Sequence, residues 1–174
     1  EELGLQPRLF RRARADRLLA LLELSELGRR ISAKAELLDS LERALLTEHI
    51  DLAYFVSPST SAARLKKISF IATVWDLCHR DWPEFPEVRA ASEYRTRENI
   101  YADSLPRAQL VISDSDQLAD NIVRRYGVDR ERVLAMPFGP SPLLFAPTDQ
   151  PSGAVLQQYG LQPGYFFYPA QFWP

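Results

Sequence analysis

Three short polar clusters hold the groups in this chain that can do chemistry: Asp76 to Arg80, Ser113 to Asp116, and Pro137 to Ser141. The first is the densest, with Trp75, Asp76, Cys78, His79, Arg80 and Asp81 in close succession, followed by Trp82, Glu84, Phe85 and Glu87. Asp76 can serve as a general acid or base, and a carboxylate capping a loop accounts for it equally well. Asp76 and His79 are both metal-ligand types, yet no third ligand stands at a recognisable spacing, so no metal is expected. Cys78 next to His79 suggests a thiol nucleophile. Sequence neighbours point apart on extended backbone, however, and a lone cysteine is commonly a small buried hydrophobe. Trp75, Trp82 and Phe85 can stack on a sugar or a base, or pack in a core. Ser115 and Asp116 stand at a helix start, where an anion is welcome and where plain capping also places such residues. Neither a dinucleotide-type nor a Walker-type Gly-rich phosphate loop is present.

The elements that must position these clusters are strands. Ile68 to Val74 is an almost uncharged, β-branched run, expected to be a strand buried on both faces. Asp51 to Val56, ended by Ser57-Pro58-Ser59, is a strand with its exit loop. Gln109 to Ile112 and Arg132 to Met136 complete a set of four. Between them, Ala90 to Leu105 is expected to be a helix with Tyr94, Tyr101 and Leu105 along one side, closed by Pro106. A second helix follows a cap at Asp114 or Ser115, turns Leu118, Ile122, Val123 and Tyr126 inward, and stops at Gly127. Strands alternating with helices imply right-handed βαβ units and a parallel, doubly wound sheet. In such a sheet the three polar clusters are strand exits along one edge, where ligands bind.

Arg8 to Glu48 reads as two helices packed on the sheet, with Gly28 at the break. The first carries Arg8, Arg11, Arg12, Arg14 and Arg17. A solvated face explains these arginines, and peripheral contact with an anionic membrane or a phosphorylated acceptor is the functional alternative. Pro140, Pro142, Pro147 and Pro151 mark a semi-rigid linker. Tyr165 to Tyr168 then reads as one more buried strand, the first of a further domain. The expected organisation is a helical segment over 1–49, a Rossmann-like acceptor-side domain over 50–142, a linker over 143–163 and the start of a donor-binding domain over 164–174.

Composition sets the frame. The 174 residues are 46% hydrophobic and 25% charged, as in an ordinary globular domain rather than a disordered chain. A net charge of −2 supplies no overall field for nucleic acid, so none is expected as a partner. One cysteine excludes an internal disulfide and suits a reducing compartment, with cytoplasm the plain expectation.

Taken together, TVWDLCHRDWPEFPEVR (73–89), AQLVISDSDQLADNIVRRYGVDRERVLAMPFGP (108–140) and YGLQPGYFFYPAQFWP (159–174) resemble the N-terminal domain of group 1, family 4 glycosyltransferases of the GT-B type. The match runs in order and spacing over about two-thirds of the chain. The resemblance implies a truncated Rossmann-like acceptor domain facing a second domain that grips a nucleotide-sugar. It implies sugar transfer with retention to a glycan or lipid-linked acceptor, and no cofactor beyond the donor as co-substrate. The family's His-Asp-Leu corresponds to Trp75-Asp76-Leu77, its Ser-Glu to Ser115-Asp116, and its proline-glycine turn to Pro137-Phe138-Gly139. Asp76 and His79 are then the candidate catalytic residues, with Trp75, Arg80, Ser115, Asp116, Phe138 and Gly139 as candidate substrate contacts. The family's histidine faces the donor sugar, and the Trp75 indole has no acceptor nitrogen to replace it. Either His79 takes over, or only the Trp75 backbone carbonyl counts. The family's Gly-rich loop would precede this chain and its lysine-asparagine element would follow Pro174, so the isolated chain is expected to be inactive. The alternative is a non-catalytic Rossmann-like module that binds a sugar or a protein partner.

Overall fold

The structure, a computed structural model, describes residues 10, 13–22, 25–34, 37–89, 92–141, 152–164, 166 and 168. The chain divides into two compact units, Glu1–Pro137 and Phe138–Pro174. The boundary falls a few residues before the expected domain end at 142.

The first unit is built on four parallel strands, β1 (Leu52–Phe55), β2 (Ser69–Val74), β3 (Leu110–Ser113) and β4 (Val133–Ala135), in the order β1-β2-β3-β4. Among the described residues six helices accompany them: α3 (Ser40–Thr47), α4 (Thr60–Arg64), α5 (Cys78–Asp81), α6 (Pro86–Arg89), α7 (Glu93–Ser104) and α8 (Asp116–Tyr126). The sheet is thus α/β, all-parallel and flanked by helices, a Rossmann-like arrangement. It is not doubly wound among the described residues. Every strand lies beside its sequence neighbour, and the right-handed crossovers that parallel strands adopt then put α4, α7 and α8 on one face.

That one-sided cover decides where the core lies. Phe70, Ala72, Val74, Val111 and Val133 face the helices and join Leu65, Leu105, Leu118, Ile122 and Val128 in one cluster. Each large member contributes about 1.5–3 kcal/mol by leaving water. The opposite face of β2 was expected to be buried too, and it is so only in part, at Thr73. Ile71 and Ile112 are half-buried, while Leu52, Tyr54 and Leu134 are about half exposed.

The helical start differs from expectation. Among the described residues it forms three helices, α1 (Arg14–Leu22), α2 (Glu26–Lys34) and α3, rather than two. Gly28 lies inside α2 and is not the break. Ser25 Oγ accepts from the Gly28 amide at 3.0 Å, and a Cβ at Gly28 would collide with the Leu22 carbonyl. Leu18, Leu21, Leu27 and Ile31 remain exposed, so α1 and α2 do not bury their apolar stripes on the sheet. Polar anchors hold this region. Buried Asp16 accepts from the Ala13 and Ser40 amides, which joins α1 to the start of α3. Glu42 on α3 has no exposed surface, and its Oε1 accepts from three successive amides, Lys66, Lys67 and Ile68, at 2.7, 2.6 and 3.1 Å. Successive amides around one oxygen form an anion-binding concavity, here filled by the chain's own carboxylate.

Arg14 and Arg17 of the expected basic helix are exposed, while Arg8, Arg11 and Arg12 lie outside the described residues. No helix among the described residues is long and apolar enough to cross a membrane. In the second unit, α9 (Ser152–Gln158) is followed by Gly160, whose φ of 64° suits a helix exit. The expected linker residues 142–151 and the strand positions Tyr165 and Phe167 lie outside the described residues.

Candidate functional site

Three strands end level with one another. Val74 pairs with Ser113, and Ser113 with Ala135, so the exits of β2, β3 and β4 open on one edge. Trp75 and Asp76 leave β2 at this edge, with Trp75 40% exposed. The Asp76 carboxylate turns its own loop: Oδ1 accepts from the Cys78 amide at 2.9 Å and from Arg97 at 3.3 Å. Tyr101 donates to the Asp76 backbone carbonyl at 3.4 Å. The Asp76 side chain is 42% exposed, so its carboxylate can also be reached by a ligand hydroxyl.

Behind this loop lies a compact cluster. His79 on α5 is fully buried between the rings of Tyr94 and Tyr101, at centroid distances of 5.6 and 5.4 Å. Its Nε2 lies 3.2 Å from Glu98 Oε2 and 3.3 Å from the Tyr126 hydroxyl. Arg80 clamps the same carboxylate with Nε at 2.8 Å and Nη2 at 2.5 Å, and its guanidinium lies 4.7 Å from the Tyr126 ring centre. Tyr126 completes the cluster by donating to Glu98 Oε2 at 3.2 Å. Arg125 on α8 binds Asp81 at the end of α5.

Protonation states follow from these contacts. The bidentate Arg80 contact, helped by His79 and Tyr126, holds the Glu98 carboxyl down at about 2. Burial pushes the His79 imidazole below its ordinary value, although Glu98 pulls the other way. A carboxylate facing Nε2 places the neutral ring's proton there, leaving Nδ1 as a bare, buried acceptor. Burial raises the hydroxyls of Tyr101 and Tyr126, so both stay protonated. Burial and neighbouring Asp76 also raise the Cys78 thiol, which removes it as a ready nucleophile. Among the described residues no group of three or more His, Cys, Asp or Glu side chains could hold a metal ion.

The predicted residues therefore separate. Trp75, Asp76, His79 and Arg80 come together around the β2 exit, but in two layers. Trp75 and Asp76 face outward, whereas His79 and Arg80 are committed to Glu98. His79 presents no surface to a ligand and backs the site. Ser115 caps α8 by accepting from the Leu118 amide at 3.3 Å, and it donates to Asp114 at 2.9 Å. The Asp116 side chain is 88% exposed, with Arg130 3.8 Å away. Phe138 and Gly139 belong to the second unit, where Phe138 is 68% exposed.

Glu98 was missed, although a signal for it exists. Tyr94, Glu98, Tyr101 and Leu105 follow the i, i+4, i+7, i+11 rhythm of a single helix face. A carboxylate in the middle of an aromatic stripe must find a cation, and Arg80 supplies it.

The strand exits and the cluster behind them define an α/β protein with a Rossmann-like parallel sheet. No protein-family model and no curated protein matches the chain.

Proposed function

We propose that this chain is the acceptor-side part of a retaining GT-B glycosyltransferase, which moves a sugar from a nucleotide-sugar donor to a glycan or lipid-linked acceptor. The observation that carries this reading is the level edge formed by Val74, Ser113 and Ala135, headed by an exposed indole and a solvent-reached carboxylate. Open parallel sheets bind ligands at such edges. The order and spacing of the three sequence blocks described above give it its chemical content. In this reading Trp75 stacks on a sugar ring and the Asp76 carboxylate accepts from a sugar hydroxyl. Arg80 and His79 hold the loop through Glu98, with Ser115 and Asp116 at the neighbouring exit. Phe138 and Gly139 form the turn toward the donor side. The donor is the co-substrate, no metal is required, and the cations that steady the departing diphosphate lie on the donor domain.

A second reading has one observation in its favour. The ionised groups behind the β2 exit are spent on one another, as in a binding module without catalytic chemistry. Two measurements separate the possibilities. Incubated with UDP- and GDP-sugars and simple glycosides, the isolated chain should yield no product, and robust transfer would overturn the assignment of its donor site to another domain. Glycosides should perturb the Trp75 indole resonance in wild type and lose this effect in Asp76→Asn. Binding that persists unchanged in both Trp75→Phe and Asp76→Asn would remove this edge as the acceptor site.

A further inference from the structure

A second concavity lies on the far side of Tyr94, with a volume of about 280 Å³, and is lined by Pro83, Val88, Arg89, Ser92, Tyr94 and Arg95. Arg89 ends α6, and Arg95 stands in the first turn of α7. Both guanidiniums are exposed, and among the described residues neither has an ion pair or hydrogen-bond partner. This sets them apart from Arg80, Arg97 and Arg125 close by, each of which is matched to a carboxylate. The nearby Glu93 carboxylate is already taken by Arg97 at 2.7 Å. Glu87 has one oxygen buried without a partner and forms no ion pair with either arginine.

Both arginines line one hollow and neither is paired with a carboxylate, which leaves the hollow with positive charge that an anion can balance. The neutral groups around them fit a particular kind of anion. The Ser92 hydroxyl makes no capping bond to its helix, and the Tyr94 hydroxyl has no partner, so both can donate. Buried Val88 and the Pro83 ring supply an apolar wall. Ser92 is held at φ 67°, a left-handed conformation that a serine rarely adopts. Guanidinium forks match tetrahedral oxyanions and bind them in bidentate fashion. The volume accommodates a phosphate together with a small organic group.

We propose that this hollow is a binding site for a phosphate monoester, held by Arg89 and Arg95 with the hydroxyls of Ser92 and Tyr94. The site stands apart from the strand-exit edge, and the inference holds whether or not sugar transfer is the function. The phosphate can belong to a soluble metabolite or to a lipid headgroup, and the two sources are separable.

The test uses the whole 174-residue chain. Calorimetric titration with glycerol 3-phosphate should show saturable one-site binding, and glycerol at the same concentration should show none. Arg89→Gln and Arg95→Gln should each weaken binding roughly tenfold, and the double variant should abolish it. Arg124→Gln, an arginine on α8 outside the hollow, should leave it unchanged. Flotation with phosphatidylcholine vesicles, with and without phosphatidate, assigns the source. Phosphatidate-dependent binding lost in the double variant marks a headgroup, and binding confined to the soluble ester marks a metabolite. Failure of both probes to bind would overturn the proposal, as would an equal loss in Arg124→Gln, which indicates diffuse basic attraction. Circular dichroism melts of the variants should coincide with wild type, since both arginines are exposed and unpaired.

Discussion

Substituting Glu98 with glutamine keeps the side chain's shape and removes its charge. In the folded chain the carboxyl titrates near 2 rather than at the ordinary 4.5. By linkage that difference corresponds to about 3 kcal/mol of stability at neutral pH, which solvent reaching the site trims to roughly 2 kcal/mol. Glu98→Gln also leaves Arg80 without a counter-charge, so the expected loss at pH 7 is roughly 2 kcal/mol. For a unit of this size, that lowers Tm by about 5–10 °C. The sign with pH is fixed. A carboxyl depressed on folding stabilises above its unfolded value and loses that contribution as pH falls from 4.5 toward 2. The gap between wild type and variant should therefore be full at pH 7 and shrink across that acidic window. Urea unfolding followed by tryptophan fluorescence at several pH values measures it. A loss below about 0.5 kcal/mol at pH 7 would place this contact among ordinary surface ion pairs. A gap of constant size down to pH 2 would show that the variant acts through packing instead.

Three further outcomes follow from the same physics. Glu42→Gln should cost roughly 2–3 kcal/mol and speed hydrogen exchange of the Lys66, Lys67 and Ile68 amides, because a neutral amide oxygen is a weaker acceptor for all three. Unchanged exchange at those amides would dismiss the anchor. Since burial lowers the His79 imidazole, the unfolded chain binds its proton first, and stability should fall as pH drops below 6.5. His79→Phe should flatten that stretch of the Tm profile, and parallel profiles would show that other groups cause it. Gly28→Ala should destabilise by about 1–3 kcal/mol, because the new methyl meets the Leu22 carbonyl. A neutral or stabilising result by thermal melt would refute that close approach.

What sequence conveys here is governed by distance along the chain. β2, the Tyr94–Tyr101–Leu105 stripe, the Ser115 cap and the Gly127 stop each follow from neighbours within a turn or two, and each is present. Glu42 is opaque to such reasoning. A glutamate in a polar helix looks solvated, and only the loop 24 residues downstream, where Lys66, Lys67 and Ile68 turn their amides together, makes it a buried anchor. Gly28 misled for a related reason, since glycine marks both a chain break and a close backbone approach. At the site, the residue types around the β2 exit were recognisable. Their division into an outward Trp75–Asp76 pair and an inward His79–Arg80 pair was not, because the short helix α5 turns them by its angle rather than by its composition.

The strand order has a consequence for how the chain assembles. Each strand joins the one made just before it: Leu52 aligns with Ser69, Ile71 with Leu110, and Val111 with Val133. No strand has to thread between two others already paired. The sheet can therefore lengthen in the direction of synthesis, with the middle step closing a loop roughly twice as long as the outer two. Doubling a loop adds only about 0.6 kcal/mol of closure entropy, so no step stands out as a bottleneck. Arg107 reinforces the long step. It bonds the Leu65 carbonyl at 2.7 Å and the Ala63 carbonyl at 2.5 Å, fastening the chain just before β3 to the helix that precedes β2.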